Sequence, residues 1–102
     1  MKIDNNIDIS GTSFHGTTIR ATLKQMIGAL GASIQGGDKT TNEWAGRINN
    51  QVFTVYDWKE GYFTPETPID WHIGGFNQET TDAAKEAIFE LLVTKTFQFM
   101  NT

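Results

Sequence analysis

"EWAGRINNQVFTVYDWK", residues 43 to 59, decides the fold. Two runs of alternating character flank Asn49 and Asn50, and asparagine tolerates positive φ, so the stretch predicts a hairpin closed by a two-residue turn. Such a turn pairs Ile48 with Gln51, Gly46 with Phe53 and Trp44 with Val55. Side chains alternate along a strand, so one sheet face then carries Trp44, Ile48, Phe53 and Val55. The other carries Glu43, Ala45, Arg47, Val52, Thr54, Tyr56 and Trp58.

Downstream, residues 60 to 68 read "EGYFTPETP", a loop stiffened by Pro65 and Pro68. "IDWHIGG" (69–75) alternates again, with Ile69, Trp71 and Ile73 on one face and Asp70 and His72 on the other. Residues 77 to 95 predict a helix whose stripe is Ala84, Ile88, Leu91 and Leu92. Phe89 and Val93 fall outside that stripe and point to a second apolar contact. "TFQFM" (96–100) alternates, which leaves a final strand as the alternative to more helix.

Upstream, "GASIQGGDKTTN" (31–42) reads as a loop. "TTIRATLKQMIGALG" (17–31) places Ile19, Leu23, Met26, Ile27 and Leu30 at helical spacing, with Thr17 or Thr18 as the cap and Gly31 beyond the end. "SGTSFHG" (10–16) is a glycine-bounded loop before it, and "KIDNNIDI" (2–9) predicts a short first strand. The expected order is β-α-β-β-β-α, in one domain spanning residues 1–102. It implies an α+β fold: a mainly antiparallel sheet with two helices packed on one face. Arg47, Tyr56, Trp58, Asp70 and His72 should project from the opposite face. An open face bearing two large aromatics implies a partner, a ligand or a second subunit.

The composition narrows the chemistry. At 102 residues with 38% hydrophobic and 12% aromatic content, the chain can build a modest core. It has no cysteine, which excludes thiol catalysis, zinc–thiolate sites and iron–sulfur clusters and is consistent with a reducing compartment. Eight basic residues are scattered singly among 12 acidic ones, for a net charge of −4, which argues against duplex nucleic acid as a partner. A small anionic ligand needs only one or two of them. No stretch approaches the ~20 apolar residues of a membrane span, and the acidic N-terminus lacks a signal-peptide pattern. A cytoplasmic location is expected.

Two glycine-containing loops, each feeding an expected helix start, are the layout that aims backbone N–H groups at an anion. These are Gly11, Ser13, His15 and Gly16 before the first helix, and Gly74, Gly75 and Phe76 before the second. Arg20 and Arg47 are candidates to grip phosphate. His15 and His72 are candidates to hydrogen-bond a base or ribose, and Tyr56, Trp58 and Phe76 to stack on a ring. The motif is incomplete: "GTSFHG" has the outer glycine spacing of a P-loop but continues Thr-Thr, without the phosphate-contacting Lys. No cofactor is implied and no metal-ligand spacing is present. Ser13 lies two residues from His15 without an orienting carboxylate, so no catalytic residue is assigned.

"GTSFHG", "EWAGRI", "VFTVYDWKEG" and "DWHIGG", in this order, resemble a group of small bacteriophage proteins that share a GTS-x-x-G loop, an aromatic strand ending in Lys and a W-H-I-G-G segment. By analogy of class, the resemblance implies a counter-defence protein like the nucleotide sponges among Thoeris and CBASS inhibitors. Such a protein would be a homo-oligomer in the host cytoplasm that sequesters a cyclic nucleotide signal without cleaving it. Two alternatives stay open: an anti-CRISPR-like inhibitor that masks a host complex, and a small hydrolase working through His15 or His72.

Overall fold

The hairpin is built as its sequence dictates. In the computed structural model, which describes residues 1–37 and 39–100 with side chains through residue 95, the strands Asn42–Ile48 and Gln51–Tyr56 pair antiparallel. The register is Ile48 with Gln51, Gly46 with Phe53 and Trp44 with Val55. Asn49 and Asn50 sit at φ 52° and 64°, the left-handed pair of a type I′ turn, whose twist matches that of the strands it joins.

In chain order the elements are β1 (Lys2–Ile3), β2 (Ser13–Ala21), α1 (Leu23–Leu30), β3 (Ile34–Gln35), β4 (Asn42–Ile48), β5 (Gln51–Tyr56), β6 (Ile69–Gly75) and α2 (Gln78–Met100). The sheet runs β1-β4-β5-β6-β2, every pair antiparallel, with β3 on the same edge of β4 as β1. Both helices pack on one face, giving the expected α+β architecture. That face supplies Ile19, Trp44, Phe53, Val55, Ile69, Trp71 and Ile73, and the helices add Met26, Leu30, Ala84 and Ile88, all buried in one cluster. Trp44 and Trp71 meet edge to face at 5.4 Å. Their indole N–H groups, which would be costly to bury unpaired, donate to the carbonyls of Gly31 and Ala21, each at 2.9 Å.

Four expectations change. First, the loop expected at 31–42 contains the short strand β3 and the first residue of β4. Second, residues 17 to 21 are strand, not helix. Thr17, Ile19 and Ala21 are buried and alternate with more exposed neighbours, the pattern that β-branched residues favour. The helix starts where Thr22 caps it: its hydroxyl accepts from the Gln25 amide at 3.1 Å, and the Gln25 side chain accepts from the Thr22 amide at 2.9 Å. Third, the glycine-bounded loop at 10–16 is largely strand β2, interrupted by a bulge between Phe14 and Thr18. Gly16 takes φ 90° there, a conformation that disfavours a side chain.

Fourth, the N-terminal strand stops at Ile3. Asp4 and Asp8 accept from the amides of Asn6 and Ser10 at 3.1 and 2.9 Å, local turns that compete with sheet pairing. At the C-terminus α2 continues to Met100, so residues 96–100 extend the helix. No helix among the described residues is long and apolar enough to cross a membrane.

Candidate functional site

The sheet face opposite the helices carries the side chains that alternation assigned to it. Tyr56 pairs with His72 across β5 and β6, and Trp58 follows Tyr56 just beyond the strand end. Phe14, brought in by β2, stacks on His72 with ring centroids 4.2 Å apart and planes 20° from parallel. Trp58 lies nearly parallel to His72 at 6.3 Å, and Tyr56 tilts against both, 5.5 Å from His72 and 6.2 Å from Trp58. Four rings thus form one aromatic platform, and Trp58 remains 39% exposed.

Two ammonium groups flank it. Lys39 Nζ and Lys59 Nζ stand 5.6 and 5.5 Å from the Trp58 ring centroid, within cation–π range. The pairing is built into the backbone, because the Lys59 amide donates to the Lys39 carbonyl at 2.8 Å. Asp57 secures the same corner. It is buried, and its carboxylate accepts from the amides of Thr41 and Asn42 and from Asn42 Nδ2. Those donors hold Asp57 as a clasp on the chain beside Lys39.

Beside the platform is a cleft of about 280 Å³. Its floor is Ala45 and Thr54, buried although they point away from the helices, because the segment after β1 crosses above them. Ile7 and Ile9 form one wall, Tyr56 and Trp58 another, and Glu43 reaches in from β4. Asn5 anchors the crossing segment by accepting from the Ala45 amide at 2.9 Å and donating to the Ala32 carbonyl at 3.1 Å. Burial, foremost, and then the Glu43 charge push the Tyr56 phenol above its ordinary value, so it remains a donor at neutral pH. Burial holds the His72 imidazole below 6.5, against an opposite pull from Glu60 and Asp70.

Of the residues singled out in the sequence, Tyr56, Trp58 and His72 come together here, and Ser13 lines the cleft. The two glycine loops do not form anion sites. The start of α1 is closed by Thr22 and by the Pro65 carbonyl, which takes the Lys24 amide at 3.0 Å. Gly74 and Gly75 are buried strand residues paired on both sides. A Cβ on Gly75 would lie 3.2 Å from Thr80 and one on Gly74 2.5 Å from the Thr54 hydroxyl, so they serve close packing. Asn77 caps α2 by accepting from the Thr80 amide at 2.8 Å.

Gly11 lies against the Phe76 ring, where a Cβ would collide with it. Arg20 is on β2, not on a helix, and pairs with Asp70 at 3.3 Å where both are exposed. Arg47 is on β4 next to Lys2, near a separate dent of about 40 Å³. His15 Nε2 lies 3.0 Å from the Gly75 carbonyl and 3.4 Å from Ser13 Oγ. A carbonyl only accepts, so that nitrogen carries the proton and is no base for Ser13.

Phe14, Lys39, Lys59 and Glu43 are site residues that sequence reasoning passed over. The run of β-branched residues at 17–19 signalled the strand that delivers Phe14, and alternation already put Glu43 on the face of Tyr56. Lys39 carried no signal. No family model, curated protein or solved structure matches the chain.

Proposed function

We propose that the protein binds a small anionic nucleotide on this platform and holds it intact. One observation carries the reading: an exposed tryptophan, backed by His72, Phe14 and Tyr56, with two lysine ammonium groups at its ring. A base stacked on such a ring gains ~1–3 kcal/mol of contact, and Lys39 and Lys59 meet the phosphate, with Arg20 at the margin. These lysines take the role first given to the glycine loops. Sequestration fits better than turnover, since the His72 ring is stacked against its aromatic neighbours and His15 and Asp57 are engaged by the backbone.

The resemblance to small bacteriophage proteins supplies the setting: a counter-defence sponge for a cyclic nucleotide immune signal, acting in the host cytoplasm. The reading includes a homo-oligomer, for which Phe89 and Val93, adjacent on α2 and 57% and 51% exposed, are the contact. The exposed Trp58 favours a second reading, in which the Tyr56 and Trp58 face and the acidic surface dock on a basic host defence protein and mask it.

One experiment separates the readings. Purified protein is equilibrated with a panel of cyclic mono- and dinucleotides, freed of unbound ligand and denatured, and the released molecule is identified. Intact nucleotide supports sequestration. A hydrolysed product overturns it in favour of catalysis, and nothing retained overturns it in favour of a protein target.

A further inference from the structure

We infer that the cleft beside Trp58 selects a guanine-type ring, read through its N–H edge by Glu43. The inference rests on the nucleotide reading above and adds to it the identity of the base. Among the described residues Glu43 is the one charged side chain lining the cleft. A carboxylate repels phosphate, so the anionic part of the ligand stays outside, at the Trp58 rim where Lys39 and Lys59 stand. The polarity is therefore fixed: ring inward, phosphate outward. At about 280 Å³ the cleft falls just below the ~300–1,000 Å³ of ligand pockets, which suits one base rather than a whole dinucleotide.

The donor and acceptor pattern then chooses the ring. Glu43 is held in place by the Thr40 hydroxyl, which donates to Oε1 at 2.8 Å; among the described residues no other donor meets its carboxylate. An ionised carboxylate only accepts, and its two oxygens match two adjacent parallel donors. Guanine presents that edge, a ring N–H next to an amino group. Adenine sets its amino group beside a bare ring nitrogen, whose lone pair would face the carboxylate. The Tyr56 hydroxyl, on the residue paired with Glu43 across the hairpin, supplies a donor for an exocyclic oxygen. A guanidinium side chain would also satisfy Glu43, but the two ammonium groups at the entrance disfavour a cation.

The test titrates guanosine monophosphate, adenosine monophosphate and an arginine-bearing dipeptide into the wild type and into Glu43→Gln, with thermal unfolding run alongside. The wild type should bind the guanine nucleotide at least about tenfold more tightly than the adenine one. Glu43→Gln should narrow that ratio to about twofold or less at unchanged unfolding temperature. The wild-type ratio reads the claim even if the variant folds poorly. Equal binding of both nucleotides, or an undiminished preference in Glu43→Gln, overturns the assignment of Glu43 while nucleotide binding stands. Binding of the dipeptide alone, or of nothing, overturns both.

Discussion

His72 shows how one residue ties the site to stability. Its ring stacks on Phe14 and lies nearly parallel to Trp58, and burial holds its imidazole below 6.5 in the folded chain. Between that lowered value and 6.5 the unfolded chain binds more protons than the folded one. Stability is therefore intact above 6.5 and falls as pH drops through the folded-state value. Thermal unfolding followed from about pH 7.5 to about pH 5.5 should show a decline that is smaller in His72→Gln, the window being the one where imidazoles titrate. Superimposable slopes in the two proteins would mean that the stacked imidazole pays no burial penalty for its charge.

At the level of the element, β2 and α1 share a junction that decides where Phe14 lies. If the helix began at Thr17, Phe14 would sit in a loop and the platform would lose a ring. It begins at Thr22, with a reciprocal cap to Gln25. Thr22→Ala should thus cost about 1 kcal/mol in urea unfolding, as cap removal generally does. Thr18→Ala, on a strand and opposite His72, should show no cap effect in helical circular dichroism.

The hairpin and β6 were legible because a period of two and a pair of asparagines point the same way. β2 was not, because Gly16 at the bulge breaks the alternation after Phe14 while Ile19, Leu23 and Met26 happen to fit a helical stripe. The site divided likewise. Tyr56, Trp58 and His72 follow from strand alternation, whereas Lys39 reaches Trp58 through a backbone contact between distant loops that no local pattern encodes.

For the whole molecule, the sheet order puts β5 and β6, which carry Tyr56 and His72, side by side inside the sheet, with β2 bringing Phe14 from the edge. The helices seal one face and leave the other to the cleft, while the outer side of α2 keeps Phe89 and Val93 in water. If that side joins subunits, a sizing-column mass should be a multiple of 11.4 kDa, and Phe89→Ser should shift it to the single chain. A wild-type mass of one chain would remove the oligomer from the proposal and leave ligand binding unaffected.

Ligand binding itself has a direct reporter, since the chain has 3 tryptophans. Two have their indole N–H bonded inside the core, and Trp58 alone is exposed. In an indole N–H spectrum recorded during titration with guanosine monophosphate, the Trp58 signal should move to saturation while that of Trp71, which does not line the cleft, stays in place. A bound nucleotide that leaves the Trp58 signal unmoved, or no movement with any nucleotide tried, would contradict recognition on this face.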